Sequence, residues 1–169
     1  GYVFGVDADY NLVVMKPGLW NRQTICNLGV SATDMTFDET TGTMYLAAKT
    51  ENRWGDEVGC LYTIDLTTGA LELVYAYDSV YDMPYAMTVA DGTIYAIKNY
   101  NSGFYTVNAE TYELEKVLDA EGNDFQLQTS AGNNIVPYYA QSMTYSAVDG
   151  KIYWAYCSYS GLPELFAIN

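Results

Sequence analysis

The chain has 169 residues, with 7 basic and 21 acidic side chains, a formal net charge of −14 and no histidine. A surface this acidic repels phosphate groups, so nucleic acids and anionic membranes are poor partners. The absence of histidine excludes a Ser-His-Asp triad, a Cys-His nucleophile pair and a histidine-ligated metal site. No apolar run approaches the roughly 20 residues of a membrane-spanning helix, so membrane insertion is not expected.

Two segments of the chain repeat one another without a gap. Residues 61–74 (LYTIDLTTGALELV) align with residues 104–117 (FYTVNAETYELEKV), and Tyr, Thr, Leu, Glu and Val recur at matching positions. Residues 3–15 repeat the theme with one residue fewer, and residues 165–169 match its first half. Each full copy predicts a strand, a tight turn and a returning strand, that is, a β-hairpin. The expected third-strand aromatics are Phe4, Tyr62, Tyr105 and Phe166.

A second motif alternates with the first and begins with a Met-Thr pair. The pairs start at Met35, Met87 and Met143, and each precedes a glycine turn and a further strand. The alternation predicts four strands per unit. The spacing of the pairs is near the 40–50-residue period of propeller blades once loop insertions are allowed.

In chain order, the motifs predict a partial blade over residues 1–15, blades over 31–77 and 84–120, and a partial blade over 140–169. The segments expected to be loops include 16–31, 49–59, 77–84, 98–103, 119–138 and 157–163. The expected fold is therefore all-β, a β-propeller segment of about three four-stranded antiparallel blades. Closed propellers have about 4–8 blades. The ring is then incomplete, and the rest of the same propeller or a second copy of the chain is an expected partner.

The aromatic strands and their Asp/Asn-rich and Thr-rich turns resemble the blades of bacterial secreted or surface proteins, including quinoprotein-like and YVTN-type propellers. The resemblance covers nearly the whole chain and concerns the architecture rather than one family. It implies an extracellular or bacterial cell-surface location. Propellers carry many unrelated functions, so the fold alone indicates no activity.

One rim of such a propeller would collect the long loops, and these loops are rich in large aromatic side chains. Aromatic rings beside acids and amides are typical of interfaces and sugar-stacking sites. Trp54 is the strongest candidate because it lies in the middle of a long loop without apolar neighbours. The alternative is that many of these aromatics cap the ends of the blade core. The candidate ligand-binding residues are Trp20, Arg53, Trp54, Tyr100, Tyr139 and Tyr159.

The acidic loop at residues 119–124 is a weak candidate for a cation site. Hard cations such as Ca²⁺ prefer oxygen ligands, and several oxygen-bearing side chains crowd this loop. A solvated acidic loop explains the same residues, so no cofactor is expected, with Ca²⁺ the one exception considered. The four candidate ligands are Asp119, Glu121, Asn123 and Asp124.

These features predict a non-catalytic extracellular recognition or adhesion module that binds a glycan or a protein surface. Catalysis finds little support, since no Gly-x-Ser-x-Gly elbow occurs and the sequence places no two acids at the separation that glycoside hydrolysis needs. Two alternatives stay open. One is the non-catalytic or partly catalytic portion of a secreted carbohydrate-active enzyme, and the other is a purely structural propeller.

Overall fold

The computed structural model describes residues 1–19, 21–138, 140–157 and 163–168. Within these ranges every regular element is a β-strand, and the strands form four antiparallel sheets. The all-β, propeller-like fold class expected from the repeats is confirmed. In the same ranges no helix is long and apolar enough to cross a membrane.

The two middle sheets have four strands each, and the described parts of the outer sheets have three. The first sheet contains β1 (Val3–Val6), β2 (Asn11–Met15) and β3 (Arg22–Asn27). The second contains β4 (Ser31–Asp38), β5 (Thr43–Glu51), β6 (Glu57–Ile64) and β7 (Leu71–Ala76). The third contains β8 (Ala86–Ala90), β9 (Thr93–Ile97), β10 (Phe104–Val107) and β11 (Leu114–Lys116). The fourth contains β12 (Gln141–Ser146), β13 (Lys151–Cys157) and β14 (Pro163–Ile168).

The strands follow one another through tight turns whose residues suit the backbone they adopt. The turn between β8 and β9 is the pair Asp91-Gly92, with φ values of 50° and 78°. Two consecutive positive φ values define the two-residue hairpin turn that an Asp-Gly pair favours. At the equivalent turn after β4, the carboxylate of Asp38 accepts the backbone N–H and the hydroxyl of Thr40.

The sheets stack face to face in chain order, with an apolar layer between each pair. Leu12 of the first sheet packs with Leu46 of the second. Leu61 of the second sheet packs with Met87 of the third, and Phe104 of the third packs with Trp154 of the fourth. Burial on both faces explains why the middle strands are apolar along most of their length.

The first strands of the last three sheets, β4, β8 and β12, lie next to one another in that order. Side-chain hydroxyls join them, since Thr36 Oγ1 and Thr88 Oγ1 each accept a backbone N–H from the following sheet. The Met-Thr pairs found in the sequence therefore occupy the strands at which the sheets converge.

Two expectations for the first sheet are wrong. Residues 16–31 were expected to form a loop, but Arg22–Asn27 form β3 and pair with β2. The polar side chains of Arg22, Gln23 and Thr24 are exposed, so the segment carries little of the apolar alternation that marks a strand. Phe4 lies on the first strand of its sheet, whereas Tyr62, Tyr105 and Phe166 lie on third strands as expected.

Candidate functional site

Three exposed tyrosines from separate loops form one surface, here called the tyrosine platform (Tyr81, Tyr100 and Tyr138). The ring centroids of Tyr81 and Tyr100 are 5.7 Å apart, and those of Tyr100 and Tyr138 are 5.3 Å apart, both edge to face. Tyr81 is 59% exposed and Tyr100 is 53% exposed. Edge-to-face contacts of this kind stabilise aromatic pairs by about 0.5–1.5 kcal/mol beyond their area burial.

The backbone around the platform is held by hydrogen bonds between loops. The N–H of Tyr100, whose φ is 57°, donates to the carbonyl of Pro137 at 2.8 Å. The side-chain amide of Asn99 donates to the carbonyl of Tyr138 at 3.4 Å. The loop after β9 and the segment before β12 are therefore tied together at the residues that carry two of the three rings, which restrains Tyr100 and Tyr138 relative to one another.

An ion pair lies next to the platform. Lys98 Nζ is 2.9 Å from the carboxylate of Asp82, the residue that follows Tyr81. The same ammonium lies 5.2 Å from the ring centroid of Tyr105, within cation–π range. The positive charge of Lys98 is therefore balanced locally, and the surface beside the tyrosines carries no net charge from this pair.

A polar cleft of about 250 Å³ opens beside Tyr100. It is here called the Ser102 cleft and is defined by Tyr100, Ser102, Lys116, Asp124, Phe125 and Gln126. The Ser102 hydroxyl donates to Gln126 Oε1, and Lys116 forms an ion pair with Asp124. The backbone segments on its two sides pair through an isolated bridge between Gly103 and Gln126.

Two buried polar atoms lack a hydrogen-bond partner among the described residues. They are Oδ1 of Asn99 and Nε2 of Gln141. Both residues are more than nine-tenths buried, at 7% and 6% exposure. Asn99 immediately precedes Tyr100, so the orphaned acceptor lies on a loop that carries the platform, whereas Gln141 is the first residue of β12. Buried polar atoms of this kind are costly unless a water or a ligand satisfies them.

Trp54 lies at the tip of the turn between β5 and β6 and is 74% exposed. The Arg53 guanidinium is 4.6 Å from its ring centroid, so the two side chains form a cation–π pair. Asn52 holds the turn, because its Oδ1 accepts the backbone N–H groups of Trp54 and Asp56. The structure thus presents Trp54 to solvent on an ordered turn.

The other aromatic candidates divide into one that the structure describes and three that it does not. Tyr100 is the centre of the tyrosine platform. Trp20, Tyr139 and Tyr159 lie outside the described residues. Tyr81 and Tyr138 complete the platform although neither was among the candidate residues.

The acidic loop at residues 119–124 uses its first carboxylate to hold its own backbone. Asp119 Oδ1 accepts the N–H groups of Glu121 and Asn123. The N–H of Asn123 is the main cause that lowers the pKa of Asp119. Asp124 pairs with Lys116 instead of turning toward Asp119. In the part of the chain that the structure describes, no three His, Cys, Asp or Glu side chains are grouped to hold a metal ion.

Asp34 lies where three sheets meet, and sequence reasoning missed it. Its Oδ2 accepts the N–H of Met87 in β8 at 2.8 Å, and its Oδ1 accepts the Ser142 hydroxyl of β12 at 3.4 Å. Burial raises the pKa of Asp34 to about 7, although the hydrogen bonds from Met87, Met35, Met143 and Ser142 oppose the shift. The one signal in the sequence was the residue before the Met-Thr pair, which is acidic at Asp34, whereas the other two repeats have Ala86 and Ser142 at this place.

Two cavities adjoin the strands at which the sheets converge. One, of about 620 Å³, is lined by Phe4, Met35, Thr88 and Met143, one from each sheet. The other, of about 460 Å³, is lined by residues that include Asp7 and Asp34. The backbone N–H of Asn11 holds the pKa of Asp7 below its usual value, opposite in direction to the shift at Asp34.

Comparison with known proteins gives likenesses to solved structures and no family. No protein-family model matches the chain, and no curated protein matches it. The crystal structure of the GH43_1 enzyme from Xanthomonas citri complexed with xylose is similar to this chain, with a TM-score of 0.44 and 13% sequence identity. The similarity covers 92% of this chain and 62% of that enzyme, so the chain spans less than two thirds of the enzyme's length.

Proposed function

We propose that this chain is a non-catalytic recognition module that binds a neutral glycan through the tyrosine platform. The observation that carries the proposal is the contact between three exposed tyrosines from three different loops. Tyrosine offers a broad, rigid apolar face with a polar end and loses little side-chain entropy on binding. The C–H faces of a pyranose ring fit such a surface, while the phenol groups can bond to sugar hydroxyls.

A neutral ligand suits the charge of the protein. The net charge of −14 repels anionic sugars and other acidic ligands at a distance. Lys98 beside the platform is paired with Asp82, so it offers no unbalanced positive charge to an anion. The extracellular or bacterial cell-surface location, and a role in adhesion, belong to this proposal.

Trp54, with Arg53 against its ring, is proposed as a second contact for the same glycan or for the surface that bears it. Its support is its 74% exposure on an ordered turn. Trp54→Ala is expected to weaken binding by about 2 kcal/mol, as the loss of an aromatic hot spot does. An unchanged affinity would remove Trp54 from the site.

A glycan array of neutral oligosaccharides, followed by calorimetric titration of the strongest hit, tests the proposal. Tyr100→Ala is expected to lower the affinity at least about tenfold, which corresponds to ~1.4 kcal/mol. Tyr10→Ala is a matched control, since Tyr10 is also exposed and has a φ of 61°, but it lies on the turn between β1 and β2. Absence of any neutral hit, or an equal effect of the two substitutions, would refute the proposal.

The runner-up function is a partly catalytic portion of a carbohydrate-active enzyme, and one observation favours it. Asp7 and Asp34 line the same cavity with pKa values shifted in opposite directions. Opposed shifts are the usual arrangement of an acid and a base that act together. Release of reducing sugar from array hits by the unmodified chain, and its loss in Asp34→Asn, would favour this function over recognition alone.

A further inference from the structure

The Ser102 cleft has the size of a site for a single ring. Its volume of about 250 Å³ is below the roughly 300–1,000 Å³ of pockets that enclose drug-sized ligands. It opens at Tyr100, the central ring of the tyrosine platform. A chain of sugars lying on the platform would therefore have one unit beside this cleft.

The polar atoms of the cleft include both donors and acceptors. Ser102 donates to Gln126 Oε1, which leaves the hydroxyl oxygen of Ser102 as an acceptor. Gln126 Nε2 donates one N–H to the carbonyl of Asp124 at 3.4 Å and has a second N–H to donate. Lys116 supplies further N–H donors, and Asp124 supplies carboxylate lone pairs. Each sugar hydroxyl can both donate and accept, so neighbouring hydroxyls on one ring match such a mixed set.

The two charges in the cleft cancel. Lys116 and Asp124 form an ion pair, and the hydrogen bond that Lys116 donates to the Asp124 carboxylate raises the pKa of Lys116, which keeps it positively charged. The cleft thus offers charge-assisted hydrogen bonds without a net charge. This favours a neutral polar ligand over a carboxylate or a phosphate.

The lining of the cleft is closely packed around Gly103. A Cβ added to Gly103 would lie 2.8 Å from both Asn101 Oδ1 and the Tyr105 hydroxyl oxygen. Asn101 Oδ1 already accepts the N–H of Gly103 at 2.6 Å and the Tyr105 hydroxyl at 3.0 Å. These fixed contacts hold Ser102 between two anchored residues, and preorganisation of this kind lowers the entropic cost of binding.

We propose that the Ser102 cleft binds one pyranose unit of a neutral glycan and selects which sugar is accepted, with Tyr100 as the stacking face. This inference rests on the proposed function, because the rest of the glycan would lie on the tyrosine platform. The platform supplies affinity that varies little with sugar type. Ser102, Gln126, Lys116 and Asp124 supply the discrimination between epimers.

The experiment compares two glutamines of one loop. Gln126→Leu removes the amide from the cleft, and Gln128→Leu removes an amide that lies two residues away and bonds to Asn134 outside the cleft. The probes are the methyl β-glycosides of glucose, galactose, mannose and xylose, with methyl glucuronide as the anionic comparison, observed by saturation-transfer NMR. The strongest oligosaccharide on the array is titrated in parallel.

Gln126→Leu is expected to lower the affinity for the preferred pyranoside about five- to tenfold and to reduce the preference between epimers. Gln128→Leu is expected to behave like the unsubstituted chain, and the glucuronide to bind more weakly than the glucoside. Ser102→Ala provides the same test from the other side of the hydrogen bond if the melting temperature of Gln126→Leu is depressed.

The proposal for the cleft and the proposal for the platform are contradicted by different results. If Tyr100→Ala abolishes oligosaccharide binding while Gln126→Leu and Ser102→Ala both match Gln128→Leu, the platform stands and the cleft proposal is wrong. If the unsubstituted chain binds none of the oligosaccharides or pyranosides, both proposals are wrong. Stronger binding of the glucuronide than of the glucoside would also overturn the assignment of a neutral ligand.

Discussion

Thr36 Oγ1 accepts a hydrogen bond from the backbone N–H of Val89 at a distance of 3.1 Å. This bond joins β4 of the second sheet to β8 of the third. Thr88, the equivalent threonine of the third sheet, accepts the N–H of Tyr145 at 3.0 Å in the same way. Each threonine thus accepts an N–H group from the first strand of the next sheet. Without the threonine this N–H would lie at an unpaired strand edge.

Replacement of these threonines by valine tests the role of the bonds. Thr36→Val and Thr88→Val are each expected to lower the free energy of unfolding by about 1–3 kcal/mol, because each leaves a buried N–H group without an acceptor. Thr144→Val is the matched control, since Thr144 holds the same place in the fourth sheet but is exposed. Equal losses in all three variants, measured by denaturant unfolding, would contradict this role.

The face of the fourth sheet that carries Thr144 is open in the described residues, with Leu165 69% exposed on it and Ala155 beside Leu165. The expectation that another part of a propeller, or a second copy of the chain, covers such a face stays a prediction. Sedimentation of the chain over a range of concentrations measures whether the chain associates with itself. A stable monomer that melts cooperatively at every concentration would count against it.

Asp34 is expected to make the stability of the protein fall as the pH rises. Its pKa is about 7 in the folded chain and 3.8 as the ordinary value. Below about pH 4 the carboxyl group is protonated in both states, and between about pH 4 and pH 7 only the unfolded chain releases the proton. The free energy of unfolding should therefore decrease through that window, by roughly 2–3 kcal/mol between about pH 5 and pH 8, and then level off.

Asp34→Ala provides the comparison, because Ala86 occupies the same place in the third sheet. The substitution leaves N–H groups of Met87 and Met143 unsatisfied, which costs about 1–3 kcal/mol at every pH. Its unfolding free energy, measured by urea titration, should lack the decrease between about pH 5 and pH 8. A decrease of the same size in both proteins would assign the effect to other groups.

The two described tryptophans should respond in opposite ways to truncation. Trp154 is fully buried, stacks on Tyr156 with ring centroids 4.5 Å apart, and donates its indole N–H to Gln141 at 3.0 Å. Trp154→Ala is expected to cost about 3–5 kcal/mol. Trp54→Ala is expected to change stability by less than about 0.5 kcal/mol because the side chain is exposed. Similar melting temperatures for the two variants would contradict the assigned burial.

Gly59 should not tolerate a side chain. A Cβ at this position would lie 2.5 Å from the Cβ of Met83, an atom fixed to the backbone that cannot turn aside. Gly59→Ala is therefore expected to cost about 1–3 kcal/mol. Gly5→Ala is the control, since its nearest contact would be Val13 Cγ2 at 3.9 Å. The melting temperatures of the two variants, measured by thermal unfolding, test this expectation. An unaltered melting temperature in Gly59→Ala would disprove the clash.

The sequence predicts those parts of the fold that repeat. The Met-Thr pairs and the paired hairpins locate β4 to β14 because apolar alternation and turn residues are local signals. β3 was missed because Arg22, Gln23 and Thr24 point to solvent and no second copy of the segment exists. The roles of Thr36 and Asp34 were also missed, since a hydrogen bond across more than fifty residues leaves no local pattern.

The candidate site shows the same division. Tyr100 and Trp54 could be proposed as candidates because large aromatic residues in long loops stand out in a sequence, and the structure shows that both are exposed. The contact of Tyr100 with Tyr81 and Tyr138 depends on three loops meeting, and the polar cleft depends on Ser102 facing Gln126 across 24 positions. The residue types can be read from the sequence, whereas the contacts of Tyr100 and of Ser102 are set only by tertiary packing.

The threonine bonds have a direction, and this has a consequence for how such a chain can evolve. The donating sheet contributes only a backbone N–H, which every residue except proline possesses. If a copy of a sheet were inserted into the stack, the sheet that follows it would contribute only a backbone N–H. The side chains of that following sheet would then need no compensating change at this point. Gene duplication can therefore lengthen an array of this design in single steps, and at this point the sequence of each strand that donates the N–H is left free to diverge, whereas the accepting strand keeps its threonine.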